Sequence, residues 1–466
     1  MKIAGQTKEV TAGTDGHWML RLDPLAIAEN ATLQINGNNA IAINNVAVGE
    51  VWIASGQSNM EFGMGGAHNS AEALAAAADP QLRLFTYNKM PATEPLKDVK
   101  NGRWQASTPE SARGFSAVGY FFGRELRRKM PGVPIGVIHT SWGGTPAEAW
   151  ASMAALQAEP DFKPMLDNWD KNVAGFPAQL EKFKNEALPK WEADKQKAKD
   201  EGKAEPPRPK EPQSQALSPN RPANLYNGMI APFVPFASHG AIWYQGESNA
   251  GRAYQYRKLL PAMIADWRKA WGATKPQDFA FYIVQLANFH SEKPEPSESD
   301  WAELREAQTM TANQPGNGQG LAIDIGDEKD IHPKNKQDVG IRLALAALAQ
   351  TYGQKIEYSG PAYASMKVEG AKIRVKLTHA DGLMSKAADQ NAIPGFAIAG
   401  EDKKFKWASV KIEGSDIVLW NDAIPNPVAV RYAWADNPKA TIYNAAGLPA
   451  VPFRTDDWPG VTVNNK

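Results

Sequence analysis

The sequence predicts an α/β fold: a doubly wound, mostly parallel sheet with helices on both faces, flanked by β-rich segments at either end. Three observations carry this. Between residues 50 and 352, short apolar runs alternate with amphipathic helical stretches, the pattern of successive strand–helix–strand units. Residues 1–49 and 353–466 show apolar/polar alternation of period two broken by turn residues, the pattern of half-buried strands. No repeat of fixed period runs through the chain.

Taken in order, "HWMLRL" and "ATLQINGNNAIAI" read as strands of an N-terminal β segment, with Asn-Gly as a hairpin turn. This segment could be a piece of a longer module. In the region 50–352, "VWIAS", "LRLFTY", "IGVIHTS", "GAIWYQ", "FAFYIVQL" and "GLAIDIG" read as strands. The stretches "VGYFFGRELRRK", "YRKLLPAMIADWRKAW", "WAELREAQTMTA" and "DVGIRLALAALAQTY" read as helices. Residues 151–222 interrupt the alternation with charged, Pro-rich sequence such as "KWEADKQKAKDEGKAEPPRPKEPQ". That stretch reads as a solvated helical insertion with a loop. The segment 353–466 returns to strands in "AKIRVKLTH", "FKWASVKIEG", "DIVLWN" and "VAVRYAW".

Composition removes several function classes. Lys+Arg and Asp+Glu both number 51, so no net field draws the protein to nucleic acid or an anionic membrane. No apolar stretch approaches the roughly 18 residues of a membrane span. Cysteine is absent, which excludes thiol catalysis, disulfides and Cys-based zinc sites. No His/Asp cluster shows convincing metal-ligand spacing, so neither metal nor cofactor is expected. "MKIAGQTKEV" has no apolar leader core.

Ligands of such sheets sit beyond the carboxyl ends of the strands, so polar residues there are the candidates. The first α/β strand stops at Ser55-Gly56 and displays Gln57-Ser58-Asn59-Met60. Met60 stands where the α/β-hydrolase elbow needs a second glycine, which disfavours that fold. Taken alone, Ser58 reads equally as a nucleophile and as a helix cap. A serine nucleophile needs a base, and there are seven histidines. His332, in "DIGDEKDIHPKNK", follows the last α/β strand and has Asp330 two residues before it, an arrangement in which an acid orients a ring. The competing reading is a loop histidine with Asp330 as a cap. His139, in "GVIHTSWGG", is the rival base, and packing under its loop suits it better. Acyl transfer also needs oxyanion donors. Gly143 and Gly144 follow one strand, and Gln245, Gly246 and Glu247 follow another. Tight turns and loop bracing are their alternative roles. Trp142, Trp243 and Trp301 suit stacking on sugar rings or packing in the core.

With these stretches together, the sequence resembles the SGNH-hydrolase superfamily and, within it, the sialate O-acetylesterase-like carbohydrate esterases. The resemblance runs through "VGEVWIASGQSNM", "IGVIHTSWGGTPAEAW", "ANLYNGMIAPF", "GAIWYQGESNA", "WAELREAQ", "DIGDEKDIHPKNKQDVGIRLALAA" and "VRYAWADNPKATIYNAAGLPAVPFR". It implies a metal-independent serine esterase that removes O-acetyl groups from a carbohydrate, either sialic acid or a plant polysaccharide. It implies Ser58 as nucleophile, His332 as base, and an oxyanion hole of the Ser58 and Gly144 N–H groups with the Gln245 amide. Gln57, Asn59, Gly143 and Glu247 take binding or supporting places. The superfamily's acid stands three residues before the histidine, where this chain has Lys329. Asp330 is therefore the expected acid, with Asp327, Glu247 or a Ser–His dyad as alternatives. A periplasmic or secreted location is implied as well. The rival readings are a carbohydrate-binding protein without esterase activity and a lipase-like esterase of broader acyl range.

Overall fold

The structure, a computed structural model, describes residues 1–389 and 392–465. Gln390, Asn391 and Lys466, within the C-terminal segment expected from the sequence, lie outside the described residues. At the centre is a seven-stranded sheet. Its strands are β1 (Glu50–Gly56), β2 (Asp79–Thr86), β3 (Trp104–Ser107), β4 (Ile135–Ser141), β5 (Gly240–Tyr244), β6 (Ala280–Gln285) and β7 (Asn317–Leu321). They lie in the order β7-β6-β5-β1-β4-β2-β3. All neighbours are parallel except β3, which runs antiparallel along the β2 edge. Every residue of β4, β5 and β6 is buried, because helices cover both faces of a parallel sheet and leave no solvated side.

Helices α1 (Ser58–Glu61), α2 (Ala117–Lys129), α3 (Lys163–Lys182), α4 (Leu188–Asp200), α5 (Ala253–Ala270), α6 (Asp300–Ala312) and α7 (Lys336–Gln350) are the ones that matter for the site. Helix α7 packs against α2, and α5 against α6. The α2–α7 crossing is close at Gly340, where a Cβ would come within 2.6 Å of the Phe121 Cβ. From β1 the chain builds β2, β3 and β4 on one side and β5, β6 and β7 on the other. The strand order reverses at β1, so the crevice of the sheet opens at the carboxyl end of β1.

Before the sheet, strands Ala28–Asn36 and Ala40–Val48 form a hairpin, joined by Lys2–Ile3 and Gln6–Thr7. The predicted strand at "HWMLRL" does not form. Trp18 and Met19 are exposed, and alternation without a sheet edge and a packing face cannot hold a strand. After α7, three small sheets surround a second apolar core that includes Ile373, Phe396, Val430 and Tyr432. Buried Arg305 of α6 bridges the two cores. It donates to the Leu286 and Ala287 carbonyls on one side and to those of Ala435 and Asp436 on the other. Residues 151–222 contain α3 and α4, linked by a π-turn at Phe183–Ala187. Among the described residues, no helix is long and apolar enough to cross a membrane.

The end of β1 is sterically fixed. Gly56 has φ +137°, and a Cβ there would lie 2.1 Å from the Tyr244 carbonyl oxygen of β5. Both the dihedral and the contact demand glycine. We expect Gly56→Ala to lower stability by more than about 2 kcal/mol, read from the denaturant midpoint. A midpoint equal to that of the unsubstituted protein would contradict this account.

Candidate active site

Two neighbouring strands clamp the chain as it leaves β1. The Gly56 carbonyl accepts from the Trp142 N–H (3.0 Å), and the Gln57 N–H donates to the Tyr244 carbonyl (2.9 Å). The Gln57 side-chain oxygen accepts from the Gly246 and Ser248 N–H groups at 3.4 and 3.3 Å. Ser58 therefore emerges as the first residue of α1 in the crevice, with its own N–H in the unsatisfied first turn of a helix. Among the described residues, the Ser58 and Gly144 N–H groups make no hydrogen bond. Gly144 sits in a left-handed turn, φ +74°. Its neighbour Gly143 lies so near Ser58 that an added Cβ would be 3.2 Å from the serine Cβ.

His332 reaches the same place from the long loop after β7. Its Nε2 stands 2.8 Å from the Ser58 Oγ. Three contacts shape the loop. The Asp327 carboxylate accepts from the Lys329 and Asp330 N–H groups. The Asp330 carboxylate accepts from the His332 backbone N–H at 2.9 Å. The Asn59 side-chain amide donates to the Ile331 carbonyl at 3.0 Å. Asp330 lies 3.6 Å from the ring Nδ1, an ion-pair distance outside hydrogen-bonding range, and its side chain is 49 % exposed. Asp327 is turned onto its own loop's backbone.

Asn59 is the hub of a buried network. It donates to Glu247 at 2.6 Å and accepts from the Lys336 ammonium. Among the described residues, the second Glu247 oxygen is buried without a hydrogen-bond partner. Burial raises the Glu247 carboxyl above its ordinary value, against the Asn59 hydrogen bond and the nearby Lys336 and His332 charges. Lys336 stands over the rings of Phe62 and Tyr244 at 5.0 and 5.2 Å. Burial lowers its ammonium to about 7, opposed by Glu247 and Asp330. Lys336 is not among the residues that strand ends and motifs single out in the sequence. A lysine opening a helix opposes the helix dipole, and that misplacement was the available signal.

The expected oxyanion role of Gln245 needs correction. The Gln245 amide is fully used: its nitrogen donates to Asn249 at 2.7 Å and to the Thr145 carbonyl at 3.3 Å, and its oxygen accepts from the Tyr256 hydroxyl. With two N–H bonds and two partners it has no donor left for an oxyanion. The Gly143 N–H is likewise taken, at 2.6 Å, by Glu61, whose other oxygen pairs with Lys89. His139 is buried, bonds Ser141 at 2.6 Å, and burial lowers its pKa to about 4. It is a neutral packing group. Trp243 and Trp301 are core residues, whereas Trp142 is half-buried beneath the Lys89 ammonium.

Lys336 yields a pH prediction. Its ordinary pKa is 10.5 and its folded value about 7, so between these pH values the unfolded chain holds the extra proton. Stability contributed at this position then rises with pH across that window. We expect the melting temperature of the unsubstituted protein, relative to Lys336→Met, to climb from about pH 7 to about pH 10.5. A pH-independent difference would refute the buried charge.

The chain is similar to known proteins over nearly its whole length. The family described as carbohydrate esterase, sialic acid-specific acetylesterase, matches residues 48–181. The mouse sialate O-acetylesterase is 29 % identical over 94 % of this chain and 83 % of its own length. The human sialate O-acetylesterase is also 29 % identical, over 95 % and 83 %. The crystal structure of a carbohydrate acetylesterase from Xanthomonas citri superposes with a TM-score of 0.81 at 37 % identity, covering 98 % of this chain and 92 % of that one. With a fold, a matched family and a relative of this extent in agreement, the chain belongs to the sialate O-acetylesterase-like carbohydrate esterases of the SGNH-hydrolase type, enzymes that hydrolyse O-acetyl esters of carbohydrates.

Proposed function

We propose that Ser58 and His332 carry the deacetylation, with the Ser58 and Gly144 N–H groups as the oxyanion hole. The contact of 2.8 Å between the Ser58 Oγ and the His332 Nε2 carries the reading. As Ser58 attacks the acetyl carbonyl, His332 takes the hydroxyl proton. The negative charge grows on the carbonyl oxygen, against two N–H groups that have no other partner among the described residues. Collapse of the intermediate returns the proton from His332 to the departing sugar oxygen and leaves acetyl-Ser58. Water, deprotonated by His332, then releases acetate and restores the serine. Gln57 and Asn59 hold the serine loop, and Gln245 braces the glycine turn from below.

Asp330 acts in two ways on this reading. It fixes the His332 backbone through its N–H, and its charge stabilises the imidazolium from 3.6 Å. Glu247 supports the site through Asn59. The substrate is an acetylated sugar, and a periplasmic or secreted location follows from the resemblance to the family.

Ser58→Ala and His332→Ala should each lower kcat on 4-nitrophenyl acetate by more than about a thousandfold, because nucleophile and base work as a unit. Their melting temperatures should stay close to that of the unsubstituted protein. A variant retaining a tenth of the activity would remove that residue from the mechanism. Asp330→Asn keeps an oxygen for the His332 N–H and loses only the partly solvated charge. A Coulomb term on the order of 1–3 kcal/mol corresponds to a kcat loss of about five- to 150-fold. Glu247→Gln should cost less than Asp330→Asn; the reverse order would make Glu247 the acid.

A further inference from the structure

The Gly144 turn opens into a cavity of about 450 Å³. It begins one residue from Gly143, which abuts Ser58, and is bordered opposite by Ser248, whose N–H holds the Gln57 side chain. Its far wall comes from the insertion. Pro164, Met165, Asn168 and Trp169 line it from α3, and positions i, i+1, i+4 and i+5 share one face of a helix. Asn220, on the returning chain, completes that wall. The expectation that residues 151–222 form a solvated excursion does not account for this placement.

The wall carries unused recognition groups. Among the described residues, the side-chain amides of Asn168 and Asn220 and the indole N–H of Trp169 make no hydrogen bond. Trp169 packs one part against the main core and stays half-buried. An aromatic ring beside free amides is a surface for a sugar: C–H groups lie on the ring, and hydroxyls pair with the amides. The charged lining residues, Glu148 and Arg252, neutralise each other at 2.5 Å. Glu148 also accepts from Asn249, and Arg252 donates to Gln255. Among the described residues that line it, a carboxylate entering this cavity meets no cation other than the paired Arg252. Its volume lies within the range of small-ligand pockets, roughly 300–1,000 Å³.

We propose that this cavity holds an uncharged sugar ring of the acetylated substrate, and that Trp169, Asn168 and Asn220 of the insertion determine which glycan is deacetylated. The proposal rests on the placement of Ser58 and Gly144 in the mechanism above. The hydroxyls of the ring bind the amides, the ring face lies on Trp169, and the acetyl group points past Gly144 to Ser58.

The test compares kcat/KM on an acetylated xylo-oligosaccharide with kcat/KM on 4-nitrophenyl acetate, which lacks a sugar. In Asn168→Trp, which fills the cavity from an exposed position, and in Trp169→Ala, the ratio of glycan to 4-nitrophenyl acetate should fall at least about tenfold, through KM. Asn220→Ala should lower it in the same direction, and Trp169→Phe should restore most of it. The unsubstituted enzyme should favour the neutral glycan over 9-O-acetylated sialic acid by at least about tenfold. Ratios within about twofold of the unsubstituted value in all the cavity variants, with melting unchanged, would overturn the cavity assignment while leaving the esterase chemistry intact. A preference for the sialic acid would overturn the uncharged ligand. Failure of the unsubstituted enzyme to release acetate from any ester would overturn the catalytic reading and this proposal together.

Discussion

Everything at the site hangs on the clamp at the end of β1. The strand leaves the sheet between the carboxyl ends of β4 and β5, and hydrogen bonds from both seize it. Trp142 donates to the carbonyl of Gly56, and the next N–H, of Gln57, is given to Tyr244. Such a close approach is open only to glycine, since the Cβ of any other residue would overlap the Tyr244 carbonyl. A loop pinned on both sides has little freedom left, so the serine hydroxyl is delivered at a fixed point and the ordering entropy is lost on folding rather than at each turnover. The first N–H groups of α1 are unpaired because a helix start leaves them so. The clamp decides where they point.

The second layer of organisation is the Asn59 hub. One amide links three chain segments: the serine loop, Glu247 after β5, and the stretch from the His332 loop into α7, which it meets at the Ile331 carbonyl and at Lys336. A buried amide, a buried carboxyl and a buried ammonium are costly to desolvate singly and tolerable as a connected set. This gives the segments one shared register, so that Ser58 and His332 are positioned by the same side chain. Glu61 does comparable work on the other flank, holding the Gly143 N–H and pairing with Lys89. That contact leaves the next N–H, of Gly144, open.

Farther out, the flanking modules are coupled to this centre by polar staples. Arg305 spans from the loop after β6 to the Ala435–Asp436 backbone. Arg454 reaches Glu306 of α6. The Asn288 side chain accepts from Gly326 in the loop that leads to His332 and donates to Asn437 of the C-terminal segment. The C-terminal β-rich segment thus borders the loops at the carboxyl edge of the sheet, and α3 borders the Gly144 turn from the other side through Met165 and Arg252. Ser58 stands at the carboxyl edge of the central sheet, and the flanking segments border the loops there.

The sequence by itself determined the alternation of strands and helices, because burial on both sheet faces demands continuous apolar runs and amphipathic helices between them. It also set Ser58, Gly144 and His332 at or beyond strand ends, where a parallel sheet presents its ligands. Family resemblance then suggested roles for them. What it left undecided were the partners. Gln245 has the donor capacity for an oxyanion, but Asn249 and Thr145 consume it. Lys336 is one charged residue among many in the sequence, yet it is enclosed between two rings and an amide brought from the other end of the α/β region. "HWMLRL" alternates like a strand and finds no edge to join. The charged insertion reads as solvated chain, and one face of α3 within it walls a cavity beside Gly144. The reason is common to all four. Sequence fixes how many bonds a group is able to make, whereas only the tertiary fold decides which groups, often a hundred or more residues away, are close enough to make them.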